Sequence, residues 1–126
     1  MSYDVWIGDK SFNYTSNTRM LIYDHIHDQG NGGGLHEIAD KTGREAALIL
    51  GKAFMEMNTT RHWAGVRFGG LTVSECAQDF RPGEPWMTAK YDCPSGWGST
   101  IGTILFLGQI LAACAEFPDE IVGVST

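Results

Sequence analysis

Residues 59–97 concentrate the side chains best suited to gripping a ligand. They hold three of the five arginines (Arg61, Arg67, Arg81) and three of the four tryptophans (Trp63, Trp86, Trp97). Phe68, Phe80, Tyr91, His62 and Lys90 lie among them. Guanidinium forks match phosphate oxygens, and aromatic faces stack on planar rings. The stretch closes on "PSGWGST", where Ser99 or Thr100 is placed to open a helix. Backbone N–H groups at such a helix start attract anions, and glycine lets a ligand come close. Asn13, Tyr14, Thr15 and Asn17 offer further donors and acceptors. The constellation suits a small anionic ligand that contains a base. A scaffold accounts for the same residues: tryptophans that fill the core, and arginines paired with Glu75, Asp79 and Glu84.

Other chemistries are less well served. "DHIHD" puts His25 and His27 between Asp24 and Asp28. On a strand, histidines at i and i+2 share a face and can hold a metal. On the helix expected here they do not face each other, so they are weak candidates, with His36 a distant third ligand. A nucleophilic enzyme needs Cys or Ser beside a base. Cys93, Ser95 and Ser99 are available, but only His62 offers a base, and only through the fold. No GxSxG is present. "GKAFMEM" lacks the upstream glycine and the hydroxyl of a P-loop. "QGNGGGL" lacks the preceding strand and the acidic residue of a dinucleotide fingerprint. No cofactor is implied, and the pattern favours binding over catalysis.

The bulk numbers set outer limits. The 126 residues suit one domain. Sixteen glycines are nearly twice the average of about 7% and point to loops and tight turns. A net charge of −6 disfavours general nucleic-acid binding. The N-terminus does not read as a signal peptide, and the apolar run near residue 105 is too short to span a bilayer. Cys76, Cys93 and Cys114 form no CxxC, and free thiols in a reducing cytoplasm are expected.

These residues must be positioned by a small set of elements. "YDVWIGD" and "KSFNYTSN" alternate and read as a hairpin around Gly8-Asp9-Lys10. Leu21, Ile22 and Ile26 fall at helical spacing, with Asn17 or Thr18 as cap, and "QGNGGG" ends that helix. "GLHEIAD" suggests one amphipathic turn. Thr42 and Glu45 make a capping box for "KTGREAALILGKAFMEMN". Ala47, Leu50, Phe54 and Met57 form one face of that helix, and Leu48, Ile49 and Met55 widen it. Residues 60–92 are irregular, with a hairpin around Gly69-Gly70 and a short helix from Thr72 both open. The last helix, "TIGTILFLGQILAACAEF", is apolar on nearly every side and so should be buried all round. Pro118 stops it, and "EIVGVS" reads as a closing strand. Gly51 and Gly108 suggest close approach of two helices. The expected fold is α+β: a small antiparallel sheet with about three helices packed on one side.

"FNYTSN" after the first strand, "GLHEIADKTGREAA" before the middle helix, "GWG" at the last helix start and "EFPDEIVGV" at the end occur in a telling order. In this order they resemble a family of small proteins of unknown function from actinobacteria, other bacteria and their phages. The resemblance implies a compact α+β domain, often of phage origin, with residues 60–92 an expansion. It implies no activity and no catalytic residue. Two expectations follow. One is sequestration of a small anionic, nucleotide-like ligand by Arg61, Trp63, Arg67, Arg81, Trp86, Trp97, Ser99, Thr100, Asn13 and Asn17. The other is an interaction module for a host or phage protein, using the last helix and exposed aromatics. A metal-assisted hydrolase built on His25 and His27 is a distant alternative. Two nearly all-apolar helices in so small a domain also point to a homo-oligomer.

Overall fold

Alternating side chains build the first layer. In the computed structural model, which describes residues 2–57, 93 and 95–126, β1 (Ser2–Ile7) and β2 (Lys10–Thr15) pair antiparallel. Tyr3, Val5 and Ile7 point inward and are buried, while Asp4 and Trp6 point outward. The register sets Tyr3 opposite Tyr14 and Val5 opposite Phe12, so one sheet face is apolar. β3 (Gly123–Ser125) adds to the other side of β1, giving the order β2-β1-β3.

Three helices are described. A 3₁₀ turn, Ser16–Thr18, leads from β2 into α1 (Arg19–His25), which buries Leu21 and Ile22. Neither expected residue caps α1 through its side chain. Thr18 stands at the N-cap position but makes no capping bond, because its hydroxyl is turned inward onto Thr103. A second 3₁₀ turn, Gly34–Ile38, is the short turn expected from "GLHEIAD".

The α2 helix (Gly43–Met57) begins with the capping box. The Thr42 hydroxyl accepts from the Glu45 N–H at 3.2 Å, and Glu45 Oε1 accepts from the Thr42 N–H at 3.3 Å. Its buried face runs through Ala46, Leu50, Ala53, Phe54 and Met57. The wider face expected for this helix is corrected at Leu48, which is 76% exposed. Leu48 precedes Leu50 by two positions and therefore cannot share its face.

The α3 helix (Thr100–Glu116) packs along α2. From Gly102 to Ala115 none of its residues is exposed, in keeping with its all-round apolar pattern. Its hydrophobic side chains complete one core with those of β1, α1 and α2. The end of α3 crosses the start of α2 closely at Gly43. A Cβ there would lie 2.2 Å from the Phe117 carbonyl oxygen and 2.6 Å from that of Cys114. Gly51 and Gly108, where close approach was expected, are both buried. After Pro118 the chain turns back along residues 40–44, with bonds from the Asp40 N–H to the Val122 carbonyl and from the Gly43 N–H to that of Glu120. Among the described residues no helix is long and apolar enough to cross a membrane. The fold is a small α+β arrangement. The open choice between hairpin and helix within residues 60–92 lies outside the described residues.

Candidate functional site

The glycines around Trp97 set its position. Gly96 and Gly98 have φ of +83° and +116°, conformations that L side chains rarely adopt. The Cys93 N–H donates to the Gly98 carbonyl and the Gly96 N–H to the Cys93 carbonyl, which closes the loop tightly. The Asn17 Nδ2 donates to the Trp97 carbonyl at 2.9 Å and ties this loop to the end of β2. The indole is left 75% exposed. Trp97 is therefore not a core residue, and the Gly-Trp-Gly element presents it to solvent.

The start of α3 is anchored from two sides. Ser99 is its N-cap, and the Ser99 Oγ accepts from the Gly102 N–H at 2.9 Å. The Tyr14 hydroxyl accepts from the Ser99 N–H at 3.0 Å, and its ring stacks on Phe106 with centroids 5.5 Å apart. Gly102 makes room for that hydroxyl, since a Cβ would stand 2.0 Å from it. Beneath, Thr103 donates its hydroxyl proton to the Ser99 carbonyl at 2.8 Å. Thr103 has one such proton, so the buried Thr18 hydroxyl must donate to Thr103.

Together these segments enclose a cleft of about 700 Å³, lined by residues that include Asn13, Tyr14, Asn17, Trp97 and Ser99. That volume is in the usual range for a small-molecule site. No described residue lining it carries a charge. Four expected binding residues, Asn13, Asn17, Trp97 and Ser99, thus meet at one place. Thr100 is the first residue of α3 beside them. Arg61, Trp63, Arg67, Arg81 and Trp86 lie outside the described residues. The helix N-terminus is also less open to an anion than the sequence suggests, because the amides of Ser99 and Gly102 already have partners inside the protein.

The remaining candidates are dispersed. His25 Nδ1 donates to the Leu21 carbonyl at 2.8 Å, and His27 is exposed beyond the end of α1. Asp28 Oδ1 accepts from the N–H groups of Gly30 and Gly32, which hold its carboxyl below the usual range. Among the described residues no three His, Cys, Asp or Glu side chains cluster as metal ligands. Cys93 lies 3.1 Å from the Ser95 hydroxyl, whose hydrogen bond lowers the thiol pKa, as does the Ser95 backbone. Burial pushes the Cys114 thiol up to about 12. Cys76 lies outside the described residues.

Glu37 was not legible as special. It is buried, and its carboxylate accepts from the N–H groups of Gln29, Asn31 and Gly33 at 2.9, 3.1 and 2.7 Å. It organises the glycine-rich loop from within. The available signal was a carboxylate three residues after a run of glycines whose amides lack helical partners. A second, apolar groove of about 550 Å³ lies between α2 and α3, lined by Ala47, Leu48, Gly51 and Cys114 and flanked by Arg44 and Lys52.

No protein-family model, curated protein or solved structure matches the chain.

Proposed function

We propose that the protein is a non-catalytic binder that sequesters a small, nucleotide-like ligand in the cleft beside Trp97. One observation carries this reading. Asn13, Asn17, Trp97 and Ser99, up to 86 positions apart in the chain, line a single cleft with an exposed indole at its rim. An exposed aromatic held by its backbone is a ready stacking platform. The anionic part of the ligand falls to Arg61, Arg67 and Arg81, which precede this loop in the sequence. In this reading the protein is an accessory protein of the cytoplasm, and a phage source is what its sequence resemblance implies.

Native mass spectrometry of gently purified protein, followed by denaturation and analysis of what is released, tests the proposal. A released nucleotide-like species supports it. Binding that persists unchanged in Trp97→Ala, Arg67→Ala and Arg81→Ala would remove the roles given to those residues.

A second reading, an interaction module, draws support from Leu48. It stands 76% exposed beside the apolar α2–α3 groove. The contact surface then lies on α2 rather than on the buried last helix. The same surface is where a homo-oligomer would form, and Leu48→Glu would abolish either association without unfolding the chain.

A further inference from the structure

We propose that the apolar groove between α2 and α3 docks an amphipathic helix of a partner protein, one that brackets its apolar face with carboxylates. The proposal rests on the interaction-module reading above and names the chemistry of the partner.

A stripe on α2 carries it. Arg44, Leu48 and Lys52 follow one another at four-residue steps and therefore share one face of the helix. All three are exposed, Leu48 at 76%. Beside Leu48 the groove of about 550 Å³ runs against the end of α3, with the buried Gly51 and Cys114 at its base. Ala47, Gly51 and Ala115 are small, so the backbone of an incoming helix can come close. An exposed apolar side chain beside an apolar groove between two helices is the setting in which a third helix buries its own apolar face.

Charge selects the occupant. Among the described residues that line the groove, Arg44 and Lys52 carry the charge, and both are cations in a chain whose net charge is −6. Eight residues of helix set them about 12 Å apart, so carboxylates about seven or eight positions apart on the incoming helix reach both. Arg44 meets Asp119 at 3.3 Å, but both side chains of that pair are exposed. Such a pair is worth little and gives way to a carboxylate that arrives with an apolar face. A second copy of the chain fits the stripe less well. Two copies meeting symmetrically through Leu48 would set the cations of one against the cations of the other, and like charges in contact oppose association.

Random peptides of about 16 residues, long enough as a helix to pass both cations, test this when selected on the full chain with the Leu48→Glu chain as counter-selection. The recovered peptides should place apolar residues at helical spacing and acidic residues about seven or eight positions apart. Lys52→Glu should weaken their binding by about tenfold or more, and a peptide whose matching acid is changed to lysine should regain affinity for that variant. Added salt should weaken binding to the wild-type chain. Recovered peptides that are basic or uncharged, or that bind Lys52→Glu as well as wild type, overturn the acidic partner and leave the interaction-module reading standing. Sedimentation of the chain alone decides against a second copy: a dimer that Leu48→Glu dissociates gives the groove to that copy and overturns the proposal. A monomeric chain that recovers no peptide removes both the acidic partner and the interaction module. A lowered unfolding temperature in Leu48→Glu would then show that the chain covers Leu48 itself.

Discussion

Replacing Thr103 by valine should cost more stability than replacing Thr18, and making both changes should cost less than the first alone. The structure fixes this order. Thr18 and Thr103 are buried at 1% and 0% exposure. The Thr103 hydroxyl donates to the Ser99 carbonyl and accepts from Thr18. In Thr103→Val the Ser99 carbonyl keeps the Thr103 N–H at 2.9 Å, but the Thr18 hydroxyl proton is stranded in the core. An unsatisfied buried donor costs about 1–3 kcal/mol. In Thr18→Val the Thr103 proton keeps its acceptor, so the loss is that of one net hydrogen bond, about 0.5–1.5 kcal/mol. The double change removes the stranded donor and recovers part of the first cost. Valine matches threonine in shape, so packing changes little. Urea unfolding is the assay. With a slope of about 1–3 kcal/mol/M, the Thr103→Val midpoint should fall by roughly 1 M and rise again when Thr18→Val is added. Strictly additive effects, or a larger cost at Thr18 than at Thr103, would refute the assigned direction of the bond.

Glu37→Gln should destabilise the protein by about 2–3 kcal/mol, because one of the oxygens that accept from Gln29, Asn31 and Gly33 becomes an N–H₂ facing donors; hydrogen exchange should localise the opening to residues 28–34. Stability should fall in acid through Asp28 and Glu45. Both carboxyls are held below their ordinary values by hydrogen bonds, so their contribution is present above the unfolded pKa and is lost as pH falls through the lower folded one. Asp28→Asn should flatten the acid limb of a melting-temperature profile, and an unchanged limb would count against this. Peptide mapping after brief alkylation at neutral pH should find Cys93 labelled and Cys114 untouched until the chain unfolds.

The elements legible in the sequence were those whose signals are local. Alternation in "YDVWIGD" and "KSFNYTSN" is enforced within each strand, and the Thr42–Glu45 box is closed by residues three apart. The all-apolar last helix likewise could only be an interior one. Errors arose where a distant partner decided the outcome. Thr18 was expected to cap the helix beside it, yet its hydroxyl was claimed by a residue 85 positions away. Leu48 was read as core because the helix carries more apolar residues than one face can hold, and only packing shows which are left outside. A tight contact falls at Gly43, where the chain returning from α3 crosses the start of α2, and nothing local to α2 announces it. The site was half legible. Residue types pointed to Asn13, Asn17, Trp97 and Ser99, but that Asn17 and Ser99 also tie the loop and the helix start together emerges only from the bonds they make.

Three bonds join the walls of the cleft: Asn17 to Trp97, Ser99 to Tyr14, and Thr18 to Thr103, spanning 80, 85 and 85 positions. Contacts of such separation do not survive in an unfolded chain, where the closure of so long a loop is opposed by entropy. The cleft therefore exists only while the hairpin and α3 are docked. A ligand that binds there binds the folded state alone, and stabilises it by RT ln(1 + [L]/Kd), about 2.7 kcal/mol at a hundredfold excess over Kd. For a domain of this size that is a shift of several degrees in the unfolding temperature. A thermal-shift screen is thus a direct readout of this cleft, and Asn17→Ala supplies its control. That variant cuts the tie to the Trp97 carbonyl, so it should reduce the ligand-induced shift far more than it reduces the unfolding temperature of the free protein. Equal losses in both would mean that Asn17 serves the fold and not the ligand.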